Sequence, residues 1–179
     1  LTASGDTMYF ASDMPGGFGG VDIYRAFKNS DGSWGKPENL GNKINTEGNE
    51  MFPFIHPDGM LFFSSNGLLG LGGLDIFISK VSKNGFAEPE NLGAPVNSSY
   101  DDFAFILNKK QEGGYFSSNR TEGKGDDDIY LYKLSEPFKF GKIIKGRAMT
   151  PDRPVLAEVK DGLYDEKKNL IHSISTSDD

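Results

Sequence analysis

Three aspartates, Asp22, Asp75 and Asp128, stand 53 residues apart each time in a chain of 179 residues. The run Gly19-Gly20-Val21-Asp22-Ile23-Tyr24 returns as Gly72-Gly73-Leu74-Asp75-Ile76-Phe77, and again as Asp126-Asp127-Asp128-Ile129-Tyr130. A carboxylate after a glycine loop has two uses. It can ligate a hard cation such as Ca²⁺, which takes about six to eight oxygens. It can also accept hydrogen bonds from loop N–H groups and fix the turn. Recurrence in every copy favours the second use, since a binding site is normally single, and Asp22, Asp75 and Asp128 are read as structural repeat positions. The triple Asp126, Asp127, Asp128 is the one local calcium candidate, although it lacks the alternating Asp-x-Asp-x-Asp-Gly spacing that wraps a loop round the ion.

Glu50 and Asp102 form a second set, at equivalent places before apolar runs. Paired carboxylates do acid and base work in glycosidases when their separation and pKa values suit; the alternative is hydrogen bonding to loop backbone. A serine triad has only His56 and His172 to draw on, one in a Pro-Asp-Gly turn and one far along the chain. Nucleotide binding fails on its own terms. Asp75 stands where a dinucleotide fingerprint has its last glycine, and no helix follows to meet a phosphate. No cofactor is expected.

The elements that must position these groups are set by composition and period. The apolar fraction is 36%, with 23 glycines, which suits many short strands joined by glycine turns. A net charge of −7 argues against nucleic acid as a partner. No cysteine is present, so disulfides and thiolate metal sites are excluded. The apolar runs fall far short of the roughly 18 residues of a membrane span.

The fullest copy of the repeat predicts four strands, at 51–55, 60–65, 75–81 and 86–92, each short and rich in β-branched or aromatic residues. The copy before it supplies strands two to four (8–12, 22–27, 34–40) and the copy after it strands one to three (103–107, 114–118, 129–134). Four-stranded units repeated at this period predict blades of a β-propeller. Further blades are expected before Leu1, and the fourth strand of the last blade is expected from the start of the propeller.

The run Glu50-Met51-Phe52-Pro53-Phe54-Ile55-His56-Pro57-Asp58-Gly59, followed by Gly-Gly-Leu-Asp-Ile-Phe and Pro89-Glu90-Asn91-Leu92-Gly93, resembles the WD40-like (PD40, TolB-type) propeller repeat. With Asn45-Thr46-Glu47-Gly48 and Asn97-Ser98-Ser99-Tyr100-Asp101-Asp102 it is similar to the form found in OmpA-family envelope proteins of Bacteroidetes, some of them akin to the PorE-type component of the type IX secretion system. That resemblance implies a propeller followed by a carboxypeptidase-regulatory-like sandwich and a peptidoglycan-binding domain, the last absent from this chain.

After Pro137 the basic cluster Lys139, Lys142, Lys145, Arg147 appears and the period stops. Strands are predicted at 142–147, 154–159 and 169–176, which look like the opening of that sandwich, cut short. The expectation is therefore an all-β chain: propeller blades over 1–137, then the beginning of an immunoglobulin-like β-sandwich over 138–179. The expected function is non-enzymatic, a protein-interaction scaffold in the periplasm. It would associate with outer-membrane or secretion-complex subunits, with peptidoglycan held by domains outside this chain. The residues expected to meet partners are Asn45, Glu47, Glu50, Asn97, Tyr100, Asp101 and Asp102; the alternative is a propeller hydrolase acting on envelope glycans.

Overall fold

A computed structural model describes residues 1–82, 85–121, 123–138, 160–164 and 170–175, the last two segments as backbone. The chain is all-β, and no helix occurs among the described residues. It divides into two compact units, Leu1–Lys139 and Phe140–Asp179.

The first unit contains three antiparallel sheets in sequence order. The first is β1 (Thr7–Ser12), β2 (Asp22–Phe27) and β3 (Glu38–Asn39). The second is β4 (Glu50–His56), β5 (Met60–Ser65) and β6 (Asp75–Ser82), with β7 (Gly85–Phe86) and β8 (Glu90–Asn91) both on the far edge of β6. The third is β9 (Asp102–Leu107), β10 (Gly113–Ser118) and β11 (Asp128–Lys133). Registers repeat as well. Ala11 faces Ile23, Ser64 faces Ile76 and Ser117 faces Ile129, so β1, β5 and β10 are equivalent, as are β2, β6 and β11.

The predicted fourth strand is a correction. Instead of one strand at 34–40 or 86–92, each copy has two short contacts on the same edge: Trp34 bridges Lys28 before β3, and β7 precedes β8. Pro37 and Pro89 fall in the gaps, and proline has no N–H to give the ladder. The other strands of this unit lie within two residues of their predicted bounds.

Alternate residues of the middle sheet bury toward opposite neighbours. Leu61, Phe63, Phe77 and Phe86 form a core with Ile23 and Ile44, closed by Tyr9 and Leu40. Phe62 turns the other way, stacking on Phe105 at 4.7 Å, and Phe105 stacks on Tyr132 at 4.6 Å. Phe138 joins this cluster 5.5 Å from Phe62, and its N–H donates to Gln111 Oε1. The first unit thus reaches past Pro137, the predicted boundary.

Both β4 and β9 carry a bulge. Phe52 and Pro53 together oppose one residue of β5, as Ala104 and Phe105 do on β10, with Phe52 and Ala104 at φ 54° and 53°.

In the second unit β12 (Lys160–Tyr164) pairs antiparallel with β13 (Leu170–Ser175). The strand predicted at 169–176 corresponds to β13. β12 was not expected, because Lys-Asp-Gly is poor strand sequence and reads as a turn. The strands predicted at 142–147 and 154–159 lie outside the described residues.

Candidate functional site

The loops that open β2, β6 and β11 are built around the three repeated aspartates. Asp22 accepts from the N–H groups of Phe18 (2.6 Å) and Gly19 (3.1 Å), and from Asn39 Nδ2 (2.7 Å). Asp75 accepts from Leu71 and Gly72 N–H at 2.9 and 3.0 Å, and Asp128 from Lys124 and Gly125 N–H at 2.6 and 2.9 Å. The loop passes directly over the carboxylate. A Cβ on Gly17, Gly70 or Gly123 would strike the carboxylate of Asp22, Asp75 or Asp128, so glycine is required there by close approach. Among the described residues no group of three or more acidic or histidine side chains is gathered as a metal site, and the Asp126, Asp127, Asp128 triple does not converge.

A second device is visible only in three dimensions. The Asn45 carboxamide lies alongside Ile23: its Oδ1 accepts from Ile23 N–H (2.8 Å) and its Nδ2 donates to Ile23 C=O (2.9 Å) and Asn39 Oδ1 (2.8 Å). Asn97 does the same to Ile76 at 2.9 and 2.8 Å, with Asn91 in the role of Asn39. Leu40 and Leu92 N–H donate to the same two carbonyls at 3.1 Å. A side chain thus extends the sheet where the backbone has already turned away. The Asn39 to Asp22 bond has no counterpart in the second copy, where Asp75 Oδ1 and Asn91 Nδ2 are both buried without a partner.

Glu50 and Asp102 have buried side chains, 0% exposed. Glu50 accepts from Thr46 N–H, Thr46 Oγ1 and Ser65 Oγ, at 2.7, 2.7 and 2.6 Å. Asp102 accepts from Ser98 N–H (2.6 Å) and Ser98 Oγ (2.8 Å), and forms an ion pair with Arg120. Arg120 also donates to Val96 C=O (2.7 Å), Pro95 C=O (3.2 Å) and Ser118 Oγ (3.0 Å), and lies over the rings of Phe116 and Tyr130. This arginine was not singled out from sequence, since nothing matches it in the earlier copies; Gly67 holds the equivalent place.

Four of the seven residues expected to meet partners are therefore corrected. Asn45, Glu50, Asn97 and Asp102 are at most 1% exposed and spend their polar atoms inside the fold. Asp101 is half-buried, accepting from Leu74 N–H at 2.7 Å and Asn119 Nδ2 at 3.1 Å. Glu47 and Tyr100 are exposed. Glu50 and Asp102 present no free carboxylate pair to a glycan, and His56 is buried with Nε2 3.1 Å from Asn108 C=O.

What the loops do present is apolar. Phe18 and Leu71, at equivalent positions beside the repeated aspartates, are 51% and 56% exposed, with Leu69 at 95%. No protein-family model and no curated protein sequence matches the chain.

Proposed function

We propose that the first unit is a run of β-propeller blades serving as a non-enzymatic platform for protein partners in a bacterial cell envelope. One observation carries the interaction reading. The repeated carboxylates and amides of the loops bind their own backbone, while Phe18, Leu69, Leu71 and Tyr100 stand in solvent at loops of the same kind. Aromatic and aliphatic side chains held on rigid loops suit contact with another protein.

The blade reading is supported by the repeated register of the three sheets and by the face that the third leaves open. Ile106, Tyr115 and Leu131 lie in one cross-strand row, with Ile129 on the same face of β11, and all four are 46–75% exposed. The equivalent Ile76 and Ile78 of the middle sheet are at most 4% exposed. A further sheet stacked there would bury this row as the third sheet buries theirs.

The periplasmic setting, the outer-membrane or secretion-complex partners, and a regulatory-like sandwich for the second unit are supported by the sequence resemblance. A photoreactive residue at position 100 tests the interaction reading in cells of the source. The expected result is a discrete crosslinked protein that is lost when Leu69 and Leu71 become serine. Absence of any adduct, together with release of sugar from envelope glycan by the purified chain, would instead establish the hydrolase.

A further inference from the structure

The loop that follows β5 is tied to the loop that precedes β4 through Asn66. Its N–H donates to Asn49 C=O at 3.3 Å, and its Oδ1 accepts from Asn49 N–H at 2.8 Å. Its Nδ2 bonds to nothing among the described residues. The residue that follows is glycine because Thr46 lies against it: a Cβ at position 67 would strike the Thr46 side chain. Close packing thus imposes the Asn-Gly dipeptide, in which no side chain shields the main-chain nitrogen next to the carboxamide.

That nitrogen heads a hydrogen-bonded series. Gly67 N–H donates to Ser65 Oγ at 3.0 Å, and the Ser65 hydroxyl donates in turn to Glu50 Oε1 at 2.6 Å. Glu50 is 0% exposed and its partners are Thr46 and Ser65, so no cation bonds its carboxylate among the described residues. These are the parts of an acyl-transfer site: a nucleophile, a base reached through a hydroxyl, and an N–H donor on the oxygen that gains charge. Asn66 and Gly67 are both exposed, so water reaches the carboxamide.

We propose that Asn66 is a site of self-catalysed deamidation. The Gly67 N–H proton passes to Ser65 Oγ as the hydroxyl proton passes to Glu50, and the Gly67 nitrogen bonds to Asn66 Cγ. Asn49 N–H holds the oxyanion on Oδ1. The Cγ–Nδ2 bond then breaks, and Nδ2 leaves as ammonia with a proton from solvent, to which Glu50 returns the one it took. Water opens the resulting succinimide at either carbonyl, leaving aspartate or isoaspartate at position 66. The isoaspartyl product lengthens the main chain by a carbon between points fixed by Asn49 and Ser65, in the loop that carries Leu69 and Leu71.

The third sheet supplies the comparison. Asn119 makes the same exchange with Asp101, its N–H donating to C=O at 3.2 Å and its Oδ1 accepting from N–H at 2.9 Å. There, however, Nδ2 is held by Asp101 Oδ2 at 3.1 Å, Arg120 replaces the glycine, and Asp102 is tied to Arg120. Asn119 is expected to be inert. The proposal stands on these bonds and does not depend on the platform reading.

The test maps peptides from the 179-residue chain, kept folded or unfolded in urea, and scores aspartate plus isoaspartate at positions 66 and 119. Folded, Asn66 is expected to convert at least about tenfold faster than in urea, and Asn119 more slowly than in urea. In urea the rate rises in proportion to hydroxide. In the folded parent it changes less with pH, because Glu50 acting through Ser65 supplies the base, and a Glu50 that only supported the loop would not flatten the profile. Glu50→Gln, checked for folding by its melting temperature, is expected to lose about tenfold or more and to restore proportion to hydroxide. If that variant does not fold, the folded-to-urea ratio and the pH profile of the parent decide. Conversion at 66 no faster folded than in urea, a folded-state rate proportional to hydroxide, or undiminished conversion in folded Glu50→Gln would overturn the proposal.

Discussion

Asn45 grips Ile23 by both of its backbone polar groups across 22 residues of sequence, and Asn97 grips Ile76 in the same way. The bonded atoms are all buried, so no water can replace the carboxamide. Asn45→Ala leaves an N–H without a partner, weakens the pairing of a carbonyl shared with Leu40 N–H, and strands Asn39 Oδ1 with Gly41 N–H alone. At about 1–3 kcal/mol for an unsatisfied buried group, the expected loss is about 2–4 kcal/mol, read as a lower midpoint of urea unfolding. Asn45→Asp keeps the acceptor and removes both donors, and is expected to be nearly as damaging.

Arg120 and Asp102 are expected to behave asymmetrically. Arg120→Ala leaves the Asp102 carboxylate buried with only Ser98 as a partner, and two backbone carbonyls lose their donor. Breaking a buried pair from one side costs on the order of 3–5 kcal/mol. Replacing both, as Arg120→Gly with Asp102→Glu, recreates the Gly67 and Glu50 arrangement of the middle sheet, in which Thr46 and Ser65 satisfy the acid. Serines 98 and 118 occupy those hydroxyl positions, so the double variant is expected to recover much of the loss in a double-mutant cycle.

Tyr132 sets an alkaline limit. Burial raises its pKa above the ordinary value of 10.0, and its hydroxyl donates to Ile106 C=O at 2.8 Å. In the unfolded chain the phenol ionises first. The stabilising contribution is therefore complete below about pH 10 and is lost as pH rises toward the higher folded value. Tyr132→Phe is expected to be less stable than the parent at pH 8, by about 1 kcal/mol for the lost bond, and to lose less between pH 9 and 11. Melting temperature against pH reads both effects.

The acidic loops are expected to be indifferent to calcium. Asp22, Asp75 and Asp128 are each held by two N–H groups of their own loop, so an ion would have to displace those bonds. Melting in millimolar CaCl₂ and in EDTA should coincide within about a degree. Binding by a site with a Kd in the micromolar range would instead raise it by several degrees.

Much of this was legible in the sequence, for physical reasons. Hydrophobic alternation and a fixed period locate β1, β2, β4, β5, β6, β9, β10 and β11, because strand formation there follows local pattern. The reading of Asp22, Asp75 and Asp128 as turn-fixing groups came from their recurrence after glycine. Asn45 and Asn97 misled because a polar residue in a loop is usually wet, and only the long-range partner makes burial favourable. Their spacing from Asn39 and Asn91, six residues both times, was the signal. β12 was invisible because Lys160-Asp161-Gly162 is poor strand sequence that reads as a turn, and its pairing with β13 is set by partners that local pattern does not report.

Amide hydrogen exchange at Ile23, Ile76 and Ile129 tests most directly the claim that one asparagine clamp completes each of two sheets and, among the described residues, has no counterpart on the third. The three residues share a register, a repeat position and a residue type, and differ in whether a carboxamide meets the N–H. The account predicts that Ile23 and Ile76 exchange only at the rate set by global unfolding, while Ile129 exchanges close to the rate of an open chain. Equal protection of all three would contradict it, as would free exchange at Ile23 or Ile76.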